Sequence, residues 1–480
     1  MTSQAMTTGP SRARSSPESG VALIQSGVAA FAARAKAARA AQSSLDLQYY
    51  IWRNDLTGRI LAREVLKAAE RGVRVRLLLD DMYAIGGERR LAALDAHPNI
   101  EVRLFNATHW RRFGRLGFLL EMAFGGWHLN HRMHNKAWIA DGQATICGGR
   151  NIGNEYFDAS EEFNFRDIDL VIAGPAAHKA QAVFDQYWNH PLAQPVGIVS
   201  PEPRGRPSSL VHLAARMDAA GLSPASRPFF EGLRADRAFA SVIARNMSGL
   251  TLIPTEDIHI VADPPGKASG DADPAECLVD IILSSLRGAT REALLISPYF
   301  VPGKVATDLL EALARRGVRV SVVTNSLAAT DVVAVHGGYA RYRNRLLKAG
   351  VALYELKRSG EEAGSVFGSR GASLHTKAML IDGERVFIGS YNLDPRSAML
   401  NTEMGTFVTH PVMAEQLRKE HARLVEPARS WRVTRGTNGG LVWTAEIEGR
   451  ITTRHAEPDA SLLRRILARV LRWKPIESQL

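Results

Sequence analysis

Two short runs of this 480-residue chain carry the same residue types at the same spacing. In the first, His134 and Lys136 are followed by Asp141, Gly149 and Asn151; in the second, His375 and Lys377 are followed by Asp382, Ser390 and Asn392. A lone His-x-Lys-x4-Asp run is a weak signal, but its repetition with Gly and Asn at matching offsets makes coincidence a poor explanation. Imidazole is a good nucleophile near neutral pH, lysine brings positive charge to phosphoryl oxygens, and asparagine adds a directed N–H donor. With two copies facing one site, one histidine attacks phosphorus while the other protonates the departing alcohol, and the second then deprotonates the incoming alcohol. A covalent phosphohistidine follows. Two lysines and two asparagines supply the charge that would otherwise call for a metal, so neither metal nor other cofactor is expected.

The elements that must position these groups repeat as well. SSLDLQYYIW reads as a buried strand, followed by a helix through Lys67 and a second strand, RGVRVRLLLDD; later ATREALLISPYFV, ATDLLEALARRG and VRVSVVTN return in the same order. Each copy continues through a helix, residues 88–96 or 333–348, into another strand. This predicts βαβ units, hence two copies of one α/β domain with a mixed, largely parallel sheet and flanking helices. Period-2 geometry places His134 and Lys136 on one face of a strand, and likewise His375 and Lys377. The hairpin that follows returns the Gly-x-x-Asn group beside the histidine. Asp141 and Asp382, each at an Asp-Gly turn, are candidates for turn geometry as much as for catalysis. The expected boundaries are a disordered leader over 1–20, a first domain over 21–195, a linker rich in Pro, Gly and Ser over 196–235, a second domain over 236–425 and a tail over 426–480. Residues 262–274, rich in Pro, Gly and Asp, read as a surface loop.

The paired motifs resemble the HKD signatures of the phospholipase D superfamily. LDLQYYIWRNDLTGR, HRMHNKAWIADGQATICGGRNIGNEYF, ISPYFVPGK, TNSLAATD and GSYNLDPRSAMLNTEMG are similar to the C-type branch of the bacterial cardiolipin synthases, over most of residues 40–420. The resemblance implies a pseudo-dimer with one active site shared by its halves. It also implies transfer of a phosphatidyl group from phosphatidylethanolamine or phosphatidylglycerol to phosphatidylglycerol, and an acidic residue beyond each motif that orients the imidazole. Glu403 fits in the second half; in the first, Asp167 is favoured over Glu162, which lies at the same offset from its histidine as Glu403 does. Gly149 stands where the fuller signature has serine, which leaves Ser390 as the hydroxyl for phosphate beside Asn151 and Asn392. His134 is the nucleophile by analogy.

The composition, 45% hydrophobic and 23% charged, excludes disordered and collagen-like classes. Cys147 and Cys277, both in apolar stretches, argue against a disulfide framework and for a reducing compartment. Sixty Lys and Arg against 49 Asp and Glu leave +11, which fits a phosphate-bearing partner. Two segments point to lipid. Residues 113–127 are apolar but too short to span a bilayer, and carry Arg115 and Glu121; they fit either a lid or contact with acyl chains. Near the C-terminus Leu462, Leu463, Ile466, Leu467, Val470 and Leu471 share one side of a helix and Arg464, Arg465, Arg469 and Arg472 the other, which suits an anionic membrane surface or docking on the protein itself. The expectation is a peripheral enzyme on the cytoplasmic face of the cell membrane, with phospholipid substrates, no nucleic-acid partner, and an accessory protein left open. A phospholipase D or nuclease using the same two histidines, and a non-catalytic scaffold, are the alternatives.

Overall fold

The computed structural model describes residues 18–199, 207–235, 251–358 and 371–473. Two large mixed sheets dominate it, of nine and ten strands. Seven strands of each repeat in the same order: Ser19–Ile24, Asp169–Ala173, Ala144–Gly148, Ala137–Ala140, Ser44–Tyr49, Arg74–Asp80 and Ile100–Phe105 in the first half. In the second they are Ile258–Ala262, Met404–Thr409, Arg385–Gly389, Ala378–Ile381, Glu292–Ile296, Arg319–Asn325 and Ala352–Leu356. The duplicated α/β architecture is as expected, but parallel pairing is confined to the last three strands of each set. The others pair antiparallel; of these, the two strands of each motif hairpin, Ala137–Ala140 with Ala144–Gly148 and Ala378–Ile381 with Arg385–Gly389, are joined by a turn too short for a crossover.

Hydrophobic sequence explains the layers. The strands Ser44–Tyr49 and Glu292–Ile296 are buried on both faces, which is why they read as continuous rather than alternating apolar runs. On the outer face of the first sheet, the alanine-rich helix Gly27–Ala40 and the helix Leu56–Glu70, capped by Asp55, cover Leu45, Leu47 and Trp138. The inner faces of the two halves share one apolar cluster in which Ile139 and Cys147 meet Ile296, Leu380 and Ile388. That common core makes the halves one body.

Several boundary expectations change. Residues 1–17 of the expected leader lie outside the described residues, while Ser19 and Gly20 open a strand of the first sheet that is paired on both sides. The stretch expected to be a linker carries the helices Pro207–Leu222 and Arg227–Ala235, whose Leu213, Met217, Phe229 and Leu233 are buried in the first-half core. Among the described residues of that stretch, Pro207, Ser223 and Pro224 stand at helix ends, and residues 200–206 lie outside the description. The chain then adds Ile253–Thr255 to the first sheet before crossing to the second. The helix expected over 333–348 is two, Val333–Tyr339 and Arg343–Ala349. The tail extends the second sheet by three strands. Its last described element is the helix Leu462–Trp473, which buries Ala468 and directs Arg464 to the carbonyls of Leu327 and Thr330. Leu462, Leu463, Ile466, Leu467 and Val470 stay exposed, so the helix docks through a narrow side and keeps its apolar stripe outward.

Candidate active site

Each motif histidine lies just before the first strand of its hairpin, which begins at Ala137 or Ala378. Strand alternation therefore does not align His and Lys, as the sequence pattern suggested. Instead, the Lys136 ammonium donates to the carbonyl of His134 and that of Lys377 to the carbonyl of His375. The chain entering each motif is held by an acceptor at a strand end: Asp80 Oδ2 takes the Met133 N–H at 2.9 Å, and Asn325 Oδ1 takes the Leu374 N–H at 2.8 Å.

The halves then lean on one another. His134 N–H donates to the carbonyl of Thr402 at 2.8 Å, and His375 N–H to that of Arg166 at 2.8 Å, where Ala372–Leu374 runs parallel to Asn164–Arg166. Glu403 and Asp167 come next in the chain, so each acid meets the histidine of the opposite half. Glu403 Oε2 lies 2.8 Å from His134 Nδ1, and Asp167 Oδ2 lies 2.6 Å from His375 Nδ1. Glu162 is exposed; Asp167 is the acid that reaches an imidazole.

The Gly149 departure has a steric cause. A Cβ there would stand 2.4 Å from Asp167 Oδ1, so glycine admits the shorter acid. In the second half the space holds Ser390, whose hydroxyl donates to Glu403 Oε2 and accepts the Met404 N–H at 3.0 Å. Its proton is thus committed to the orienting acid, which corrects the expected phosphate contact. Asn151 is also engaged, accepting from Ile51 N–H at 3.2 Å and donating to the Tyr156 hydroxyl at 2.9 Å; it secures an aromatic ring rather than a ligand. Asn392 is buried with its Oδ1 unbonded among the described residues, and is the motif amide left open.

Asp141 and Asp382 stand apart from this cluster. Asp141 lies five residues beyond Lys136, about 16 Å along extended chain, and accepts the N–H groups of Gln42, Ser43 and Ser44. Asp382 does the same for Thr290, Arg291 and Glu292. Both have φ near +54°, a left-handed conformation that Asp tolerates at a turn. Their role is to tie the motif hairpin to its neighbouring strand, a correction to the expected catalytic assignment. Asp141→Asn keeps the turn and loses the charge. It should cost about 1–3 kcal/mol of stability in denaturant unfolding while leaving kcat per folded molecule unchanged.

Sequence pattern missed several supports. Tyr50 packs edge-on to His134 with centroids 5.0 Å apart, and Tyr156 edge-on to His375 at 5.2 Å. Ser397 donates to Glu403 Oε1 at 2.8 Å, and Asp263, paired with Lys267 at 2.8 Å, accepts the Glu403 N–H at 2.8 Å. Asp263 and Lys267 fall in the stretch expected to be a surface loop and are buried. The matching offsets of the histidines held no trace of either.

Burial, followed by the charges of Lys136 and Lys377, pushes both imidazoles well below their ordinary value. Without a bound anion the uncharged form of each is therefore favoured. With Nδ1 facing a carboxylate, Nε2 is left with a lone pair for the cleft. Burial also lowers both lysines, Lys136 strongly and Lys377 to about 8, against the raising effect of Asp167 and Glu403. A lowered ammonium is charged below its pKa and neutral above it. On the alkaline side kcat/KM should therefore fall no later than about pH 8, where Lys377 loses its charge, and Lys377→Arg, charged throughout, should remove that contribution to the limb in a pH–rate profile.

Two imidazoles, one as nucleophile and one as proton carrier, with two lysines and an open amide, are equipped to grip a phosphodiester and cleave it in two steps. Comparison with known proteins agrees with this chemistry. The family profile described as cardiolipin synthase, PLD-like domain, matches residues 35–188 and again 282–425. The chain is 36% identical over 469 residues to cardiolipin synthase C of Escherichia coli K12, covering 95% of each protein. It is 26% identical to cardiolipin synthase A of Pseudomonas entomophila, covering 83% of this chain and 66% of that one. Among solved structures it resembles phosphatidylserine synthase of Haemophilus influenzae Rd KW20, with a TM-score of 0.56 at 12% identity over 85% of this chain and 86% of that one; this likeness concerns the fold.

Proposed function

The chain belongs to the cardiolipin synthase, PLD-like domain family, and from that premise we propose that it is a phosphatidyltransferase that makes cardiolipin. The observation that carries the mechanism is the pair of buried imidazoles, each with Nδ1 on a carboxylate of the other half. His134 Nε2 attacks the phosphorus of a donor phospholipid, phosphatidylethanolamine or phosphatidylglycerol. The bond from phosphorus to the head-group oxygen breaks, and that oxygen takes the Nε2 proton of His375, which enters this step as the imidazolium held by Asp167 and by the charge of the bound phosphodiester, and leaves it neutral. A phosphatidylglycerol hydroxyl then gives its proton to His375, its oxygen bonds to phosphorus, and the bond to His134 Nε2 breaks. Lys136, Lys377 and Asn392 hold the phosphoryl oxygens through both steps. The test supplies donor labelled in the head group, with and without phosphatidylglycerol, and separates the products. Cardiolipin with release of labelled alcohol is expected; phosphatidic acid alone would instead make the protein a phospholipase D.

The same reading places the enzyme at the cytoplasmic face of the cell membrane. No described helix is long and apolar enough to cross a bilayer. Supporting a peripheral position, Leu116, Leu119, Phe124 and Trp127 are exposed on and beside the helix Gly114–Ala123, as is the apolar stripe of the C-terminal helix, which carries Arg465 and Arg469. Such surfaces suit an anionic interface. Leu463→Glu combined with Ile466→Glu should weaken binding to phosphatidylglycerol vesicles at least about tenfold in flotation.

A further inference from the structure

Two aromatic rings away from His134, on the first half, lies an open cleft of about 1360 Å³. Aromatic contacts join it to the reaction centre: Tyr50 packs on His134, and Tyr83, on the cleft wall, packs edge-on to Tyr50 at 5.1 Å. Arg53, Arg89, Arg90, Arg115 and Arg216 line it, drawn from four separate stretches of chain. Arg53 is paired with Glu155 at 2.5 Å, but the carboxylates of the wall leave Arg90, Arg115 and Arg216 without an ion pair among the described residues. Asp55 caps a helix and accepts the Gly58 and Asn154 N–H groups; Glu88 is paired with Arg111 and accepts the Gly86 N–H. Arg90 is half-buried, and its charge is disfavoured by burial and by Arg59 and Arg216. Guanidinium groups gathered in this way make a site for an anion. Phe118 and Leu119 of the exposed apolar helix face the same cleft.

We propose that this cleft binds the accepting phospholipid, with its phosphate among the arginines and its acyl chains against Phe118 and Leu119. The inference rests on the transfer reaction above. In that reaction the donor phosphate must sit between the histidines. The acceptor presents a hydroxyl there, while its own phosphate, one glycerol away, needs a separate cationic seat. Arg53 stands at the inner end, paired with Glu155 and beside Tyr156, the ring against His375. A neutral acceptor has no use for these arginines.

The test compares two acceptors in detergent micelles. For Arg90→Gln combined with Arg216→Gln, the KM for phosphatidylglycerol should rise about tenfold, with kcat little changed. Head-group release from labelled phosphatidylethanolamine with glycerol as acceptor should stay within about twofold, because it uses only the donor site. The double variant should also unfold no earlier than the parent, since it relieves like charges rather than breaking ion pairs. Arg115→Gln, on the exposed helix, gives an independent readout in the same direction. An unchanged acceptor KM in both variants, or equal losses with both acceptors, overturns the assignment. Parent protein that releases head group with glycerol but makes no cardiolipin overturns the synthase reading and this one with it.

Discussion

His134→Asn and His375→Asn should each lower kcat for cardiolipin formation by about 10⁵, because each removes a group that acts as nucleophile or as proton carrier in both half-reactions. Asparagine is the appropriate replacement, since its amide can still donate toward the carboxylate that faces Nδ1 and the buried acid is not left bare. The two variants separate in a donor whose leaving group needs no proton. With a phosphatidyl ester of p-nitrophenol, His375→Asn should still form the covalent intermediate and release a burst of one nitrophenol per chain. His134→Asn should give no burst. The opposite outcome moves the nucleophile to His375, and undiminished turnover in both variants overturns the two-histidine mechanism.

The repeat was legible because it is written in local sequence. Each motif keeps its own offsets, and the buried strands that carry it, such as Ala137–Ala140 and Ala378–Ile381, are set by apolar runs a few residues long. What escaped was whatever depends on the contact between the halves. Nothing in the spacing of Asp167 from His134 says that its carboxylate turns to His375; that follows from the pairing of Asn164–Arg166 with Ala372–Leu374, a contact between segments about two hundred residues apart. Gly149 looked like a lost hydroxyl until Asp167 filled the space where a side chain would stand. The Pro/Gly/Asp stretch after Ala262 was misjudged for a related reason. Polar, turn-rich sequence is usually exposed, but here Asp263 and Lys267 are buried as a pair beneath Glu403, each satisfying the other. The Asp of each motif shows the converse, since its fixed offset records a hairpin that must stay attached to its neighbour, a structural need as periodic as a catalytic one.

The crossed pairing makes a second prediction of large effect. Glu403→Gln should lower kcat by about 10²–10⁴, because an amide can present its N–H to His134 Nδ1 and so favour the tautomer whose Nε2 carries the proton and cannot attack. The loss should fall on formation of the intermediate, so the nitrophenol burst slows even though Glu403 belongs to the half opposite its histidine. Asp167→Asn should do the reverse, leaving the burst and slowing the turnover that follows, because it misdirects His375. The pH dependence carries the same sign. Burial raises Glu403 to about 7 against the lowering effect of Lys136 and of hydrogen bonds from Ser390 and Ser397. The carboxylate is therefore lost as pH falls through about 7, and the parent burst rate should decline on that side while Glu403→Gln shows no such limb. Acids that acted within their own halves would exchange these outcomes, with Asp167→Asn abolishing the burst and Glu403→Gln sparing it.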